Sequence, residues 1–132
     1  MPFVLDASVT AAWCLADEFS AVAERADARL DDDAALVPHI WWYEVRNLLV
    51  VNERRGRITT VDAAAFLSLV SLYPIQFEQN ENEEAIFRFA RQFQLSFYDA
   101  AYLEIAHRHE IPLATMDSAL RRAGAAAGVE LL

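Results

Sequence analysis

Five short apolar runs punctuate the chain: Phe3–Leu5 ahead of Asp6, Ala35–Val37 ahead of Pro38, PIQF around Ile75, PLAT ahead of Met116, and VELL at the end. Runs this short, several bounded by proline or glycine, predict strands. Longer segments with apolar residues at helical spacing lie between them, near residues 19–31, 39–54, 60–72, 82–93, 97–109 and 117–126. The alternation predicts an α/β fold with a mostly parallel central sheet of about five short strands and helices on both faces, because parallel neighbours need crossovers and helices supply them. In such sheets, sites form beyond the carboxyl ends of the strands. Two of the runs end there on an acid, Asp6 and Asp117.

Two further acids stand out by their surroundings. Asp99, in LSFYDAAYL, enters an apolar helical stripe made by Phe97, Tyr98, Ala101, Tyr102 and Ile105. Glu44, in IWWYEVRNLLVV, sits among aromatic and aliphatic neighbours. Acids seldom occupy such places without a partner. Each also has a local explanation. Asp6 and Asp117 suit helix N-caps or first turns, Asp99 suits a capping box begun at Ser96, and Glu44 has Arg46 and Asn47 within reach.

Composition narrows what these acids mean. The 132 residues are 55% hydrophobic with three glycines and four prolines, and no linker or repeat interrupts them. One domain over residues 1–132 is expected, large enough to bury roughly two-thirds of its unfolded surface. The lone Cys14 excludes an internal disulfide and a thiolate zinc cluster, which suits a reducing compartment. The opening MPFVLDASV lacks a basic n-region, and no apolar run approaches the ~20 residues of a bilayer span, so a cytoplasmic protein without membrane contact is expected.

The net charge of −9 disfavours a phosphate-backbone partner. Every one of the eleven basic residues is nonetheless arginine, suited to bidentate binding of phosphate or carboxylate. If the fold gathers the four acids, mutual repulsion becomes decisive. Two carboxylates about 5 Å apart at an effective dielectric near 20 repel by roughly 3 kcal/mol. Such a cluster resists ionisation unless a cation sits within it, and all-oxygen ligands select Mg²⁺ or Mn²⁺ over zinc.

The segments VLDASV, YEVRN, SFYDAAYLEIA and ATMDSALRRA, in that order and spacing, resemble the successive signatures of a PIN-domain ribonuclease of the VapC toxin type. The likeness spans nearly the whole chain, including RRGRIT between two helices and the C-terminal strand. It implies that Asp6, Glu44, Asp99 and Asp117 form the family's acidic metal pocket. Asp6, Asp99 and Asp117 would hold Mg²⁺ or Mn²⁺ directly or through water, and Glu44 would orient a water or act as general base. Ser8 and Thr115 match hydroxyl positions that support the ligands, and Asn47 falls one turn after Glu44 as a further neighbour. The pair Trp41 and Trp42 ahead of Glu44 departs from the pattern and bears on pocket shape or partner choice.

The implied reaction is metal-dependent hydrolysis of RNA phosphodiester bonds, leaving a 5′-phosphate. Arg54, Arg55 and Arg57, or Arg121 and Arg122, are candidates to steer the RNA backbone, unless they are simply a solvated turn and helix end. The implied partner is an antitoxin whose arginine-bearing tail occupies the acidic groove, which the net charge also suits. A homodimer face is available on the helix carrying Phe66, Leu67, Leu69, Val70 and Leu72, although such a stripe is also what a core requires.

Three other readings compete. Haloacid-dehalogenase-like or receiver-type phosphoryl transfer through Asp6 shares the FVLDASV opening, but both use a lysine and the chain has none. The first also expects an acid where Ser8 stands. Serine hydrolysis lacks a G-x-S-x-G elbow, and His107 and His109 point to different sides of a helix. A non-catalytic acidic binding module would dock a partner and cleave nothing.

Overall fold

A computed structural model describes residues 1–15 and 20–132. The element order is β1 (Phe3–Leu5), α1 (Ala7–Ala12), α2 (Ala21–Arg29), β2 (Ala35–Val37), α3 (Ile40–Arg54), α4 (Thr60–Val70), β3 (Ile75–Phe77), α5 (Glu83–Phe93), α6 (Phe97–His109), β4 (Leu113–Ala114) and α7 (Ser118–Ala126). Four parallel strands form one sheet in the order β3-β2-β1-β4. The fold is the expected α/β architecture with one strand fewer. The closing VELL run contributes only an isolated parallel bridge, Leu131 to Leu113.

That order sets the site. The chain builds β1, β2 and β3 outward in one direction and then returns to place β4 on the other side of β1. Neighbouring strands with oppositely running crossovers leave a crevice at their carboxyl ends, where ligands bind in open α/β sheets. Val4 pairs with Leu113 and Leu5 with Ala114, so the chain leaves both strands side by side, toward Asp6 and Thr115.

Most helix starts carry the signals that capping chemistry demands. Ser20, Asn82 and Ser96 each accept an amide hydrogen bond at their helix N-termini, and Thr59 with Asp62 closes a reciprocal capping box. The helix expected near 19–31 is α2, and its anticipated start at Phe19 lies outside the described residues. Helix α1 has no counterpart among the expected elements: six residues are too few to show a period. Gly56, at φ +70°, provides the left-handed residue in the turn from α3 to α4.

Helix α6 forms the centre of the core. Ala100 through Ala106 are all buried, against β1 residues Phe3, Val4 and Leu5 that are wholly enclosed. A helix whose middle is buried on every side belongs inside a domain, and the one charge in that stretch, Glu104, is paired with Arg108. The α4 stripe divides instead: Phe66 and Val70 face the core, whereas Leu69 and Leu72 are exposed. Among the described residues, no helix is long and apolar enough to cross a membrane.

Candidate active site

Asp6, Ser8, Glu44, Asn47, Asp99 and Asp117 line one cavity of ≈ 250 Å³, with Ala7 and Leu48. The acids come from four separate places: the end of β1, the second turn of α3, the first turn of α6 and the residue that starts α7. No arginine, lysine or histidine is among the lining residues.

Asp6 is buried, at 5% exposure. Its Oδ2 accepts two short hydrogen bonds, from Ser8 Oγ at 2.7 Å and from Thr115 Oγ1 at 2.7 Å. Both hydroxyls accept in turn from the loop after β4: Ser8 Oγ from the Met116 amide at 3.3 Å, Thr115 Oγ1 from the Asp117 amide at 3.1 Å. A hydroxyl has one hydrogen, so these inbound bonds leave each pointing at the carboxylate. Asp6 is the residue before α1 and makes no side-chain capping hydrogen bond, although the Ala7 and Ser8 amides help to hold its pKa down. Burial raises its pKa above the ordinary carboxylate value, against the opposing pull of those hydrogen bonds.

Asp117 does cap a helix: Oδ2 accepts from the Leu120 amide at 2.8 Å. One oxygen is thereby oriented, and the same residue reaches the cavity. Asp99 follows the Ser96 cap, whose Oγ accepts the Asp99 amide at 3.1 Å. Its pKa is raised by partial burial and by the charges of Asp6 and Asp117. Glu44 reaches a pKa of about 7, pushed up first by burial and then by Asp6 and Asp99. Opposing that rise is a hydrogen bond from Tyr102 OH to Glu44 Oε1 at 3.0 Å, across 58 residues. Of the two local partners expected for Glu44, Arg46 is occupied elsewhere: it donates to Trp42 O at 3.1 Å and stacks on the Trp42 ring at 3.8 Å, while Asn47 lines the same cavity.

The chemistry of this donor set fits a small hard cation. It offers only carboxylate, hydroxyl and amide oxygens or nitrogens, and three of its acids are destabilised as anions by burial, Glu44 and Asp99 also by neighbouring carboxylates. Among the described residues, no three His, Cys, Asp or Glu side chains form a ready-made metal cage.

The model of the PIN domain family matches residues 3–126. The chain belongs to that family. Its fold is similar to PAE2754 from Pyrobaculum aerophilum, with a TM-score of 0.73 and 23% identity over 93% of this chain and 84% of that one. It is also similar to Mycobacterium tuberculosis VapC20, described as a toxin that cleaves the sarcin–ricin loop, with a TM-score of 0.60 and 16% identity over 94% and 95%. No curated protein matches the chain significantly.

The remaining residues singled out in the sequence fall in different places around the PIN-domain cavity. Arg55 and Arg57 line an adjoining hollow of ≈ 320 Å³ that shares Ser8 and Leu48 with the acidic one. Arg57 Nη1 donates to the buried Asn52 Oδ1 at 3.0 Å. Arg54 is exposed at the end of α3 and lines neither hollow, and Arg122 is exposed on α7. Arg121 turns inward, and its Nη1 donates to Thr115 O at 3.0 Å and Leu132 O at 3.2 Å, stapling the chain's last residue to the loop after β4. Trp41 is buried and its indole N–H donates to Thr10 Oγ1 at 3.0 Å, while that hydroxyl donates to Asp6 O at 3.3 Å. The tryptophan thus braces the α1 start.

Sequence reasoning missed two groups. Tyr102 reads as one more apolar-stripe residue, and nothing local marks its hydroxyl as the partner of a distant glutamate. The second is a buried ionic clasp at the far end of α6. Arg108 grips the 2%-exposed Glu104 through Nε at 2.6 Å and Nη2 at 3.2 Å, and Nη2 lies 3.3 Å from Glu78 Oε2. His109 completes it at 2.7 Å from Glu78. The available signal was Glu104 inside an apolar stripe with Arg108 four residues on.

Proposed function

We propose that this PIN-domain protein is a Mg²⁺- or Mn²⁺-dependent endoribonuclease, the toxin of a toxin–antitoxin pair acting in the cytoplasm. The observation that carries the reading is the convergence of four acids from four elements on one cavity whose lining holds no positive charge. Caps alone give no reason for that convergence.

When bound, a divalent cation polarises the scissile phosphate and lowers the pKa of a coordinated water. Asp6, Asp99 and Asp117 would hold it. The two hydroxyls on Asp6 Oδ2 and the Leu120 amide on Asp117 Oδ2 fix those carboxylates in place before any ligand arrives. Glu44, held by the Tyr102 hydroxyl, receives the proton of the attacking water. The arginine-lined hollow beside Ser8 receives an RNA phosphate next to the one cleaved.

An antitoxin would present an arginine to the same cavity, where the acids offer a bidentate partner. A homodimer through α4 would cover the exposed Leu69 and Leu72. Phosphoryl transfer to Asp6 is not favoured, because the chain has no lysine and Ser8 already occupies Asp6 Oδ2. The test is cleavage of total RNA with Mg²⁺, Mn²⁺ or chelator, using Asp6→Asn as control. Metal-dependent products absent from the variant are expected, and no cleavage in either metal would sink the reading.

A further inference from the structure

Resting on that reading, we propose that Tyr102 is a positioning residue that holds Glu44 so that Oε2, not Oε1, meets the attacking water. Tyr102 is wholly buried, on the face of α6 that also carries Asp99 three residues earlier. Its hydroxyl donates to Glu44 Oε1 at 3.0 Å. The phenol's single O–H hydrogen is thus spent on Glu44. Oε1 is therefore engaged as an acceptor, which leaves Oε2 the oxygen with both lone pairs open to an arriving proton. The same contact ties α6 to α3, so one hydroxyl aligns two of the elements that supply the acids.

The arrangement explains why the position holds a tyrosine where packing alone would accept phenylalanine. A glutamate has three rotatable side-chain bonds, and an unheld carboxylate facing other carboxylates swings away from them. The phenol supplies the restoring contact. It does so from inside the core, on a ring that is wholly enclosed.

The test is a double-mutant cycle of Tyr102→Phe and Glu44→Gln, read by steady-state cleavage and by Mn²⁺ affinity from calorimetry. Tyr102→Phe should lower kcat about tenfold, the factor that ~1.4 kcal/mol corresponds to, with KM changed less than about twofold. In the Glu44→Gln background it should change neither kcat nor Mn²⁺ affinity further. Equal losses in both backgrounds would show that the hydroxyl serves packing alone and would overturn the proposal, as would an unchanged kcat in the single variant. If the wild-type chain binds Mn²⁺ but cleaves no RNA, the nuclease reading fails and the Mn²⁺ affinities alone decide the role of Tyr102. If it neither binds nor cleaves, both fall.

Discussion

Thr115 and Asp6, 109 residues apart in the chain, are joined by a 2.7 Å hydrogen bond whose donor also accepts the amide of Asp117. One hydroxyl therefore links two acids of the cavity and spans the switch between β1 and β4. Replacing Thr115 with Val keeps the shape and removes both bonds in a fully buried place. A loss of about 1–3 kcal/mol is expected for the polar groups left unpaired. Thermal denaturation in chelator checks it, and an unchanged midpoint would show that the link contributes nothing to stability.

Asp6→Asn should behave in the opposite sense. Burial already disfavours the charge at Asp6, so removing it should leave the metal-free protein as stable or slightly more so, while abolishing metal-dependent cleavage. A destabilised variant that still cleaves RNA would contradict both halves.

The pH dependence of stability follows from the direction of three shifts. Glu44, Asp6 and Asp99 have folded pKa values above their unfolded ones, so the native state binds more protons over that window. Stability is then full at low pH and falls as pH rises, with Glu44 contributing from about 4.5 to about 7. For that partly exposed group the loss should be about 1–2 kcal/mol once solvent screening is allowed for. Denaturation midpoints between pH 5 and pH 8 should decline in chelator and flatten in Mg²⁺. A midpoint that climbs in chelator would refute the electrostatic account.

The arginines separate by role. Arg55→Ala should weaken binding of single-stranded RNA in chelator and reduce the slope of log affinity against log salt by about 0.7, the signature of one lost phosphate contact. Arg121→Ala should leave that slope unchanged and lower stability by about 1–2 kcal/mol, because it removes the bonds to Thr115 and Leu132. Fluorescence titration across salt concentrations distinguishes them.

Much of this was legible because physics acts locally where the sequence speaks clearly. Apolar runs ending at Asp6 and Asp117 marked strand ends, and Glu44 and Asp99 were conspicuous as acids in apolar company. What escaped was non-local or too short to show a pattern. Helix α1 is six residues long and sits against the core through small side chains, so no periodicity announces it. VELL reads as a strand by composition, yet only Leu131 pairs with β4. Tyr102 carries an apolar ring that satisfies the helical pattern, and its hydroxyl acquires meaning only when α3 is folded beside it. The five candidate arginines look equivalent in sequence, and only the chain path shows that Arg121 is turned inward.

The ionic clasp at the back of α6 has a consequence for the front. Glu78, which follows β3, lies 3.3 Å from Arg108 and 2.7 Å from His109, at the end of the same helix that carries Asp99 and Tyr102. A rod pinned at its rear cannot roll about its long axis. The clasp thus acts as a rotational stop, setting the angle at which Asp99 and Tyr102 meet their neighbours from a point that never touches RNA or metal.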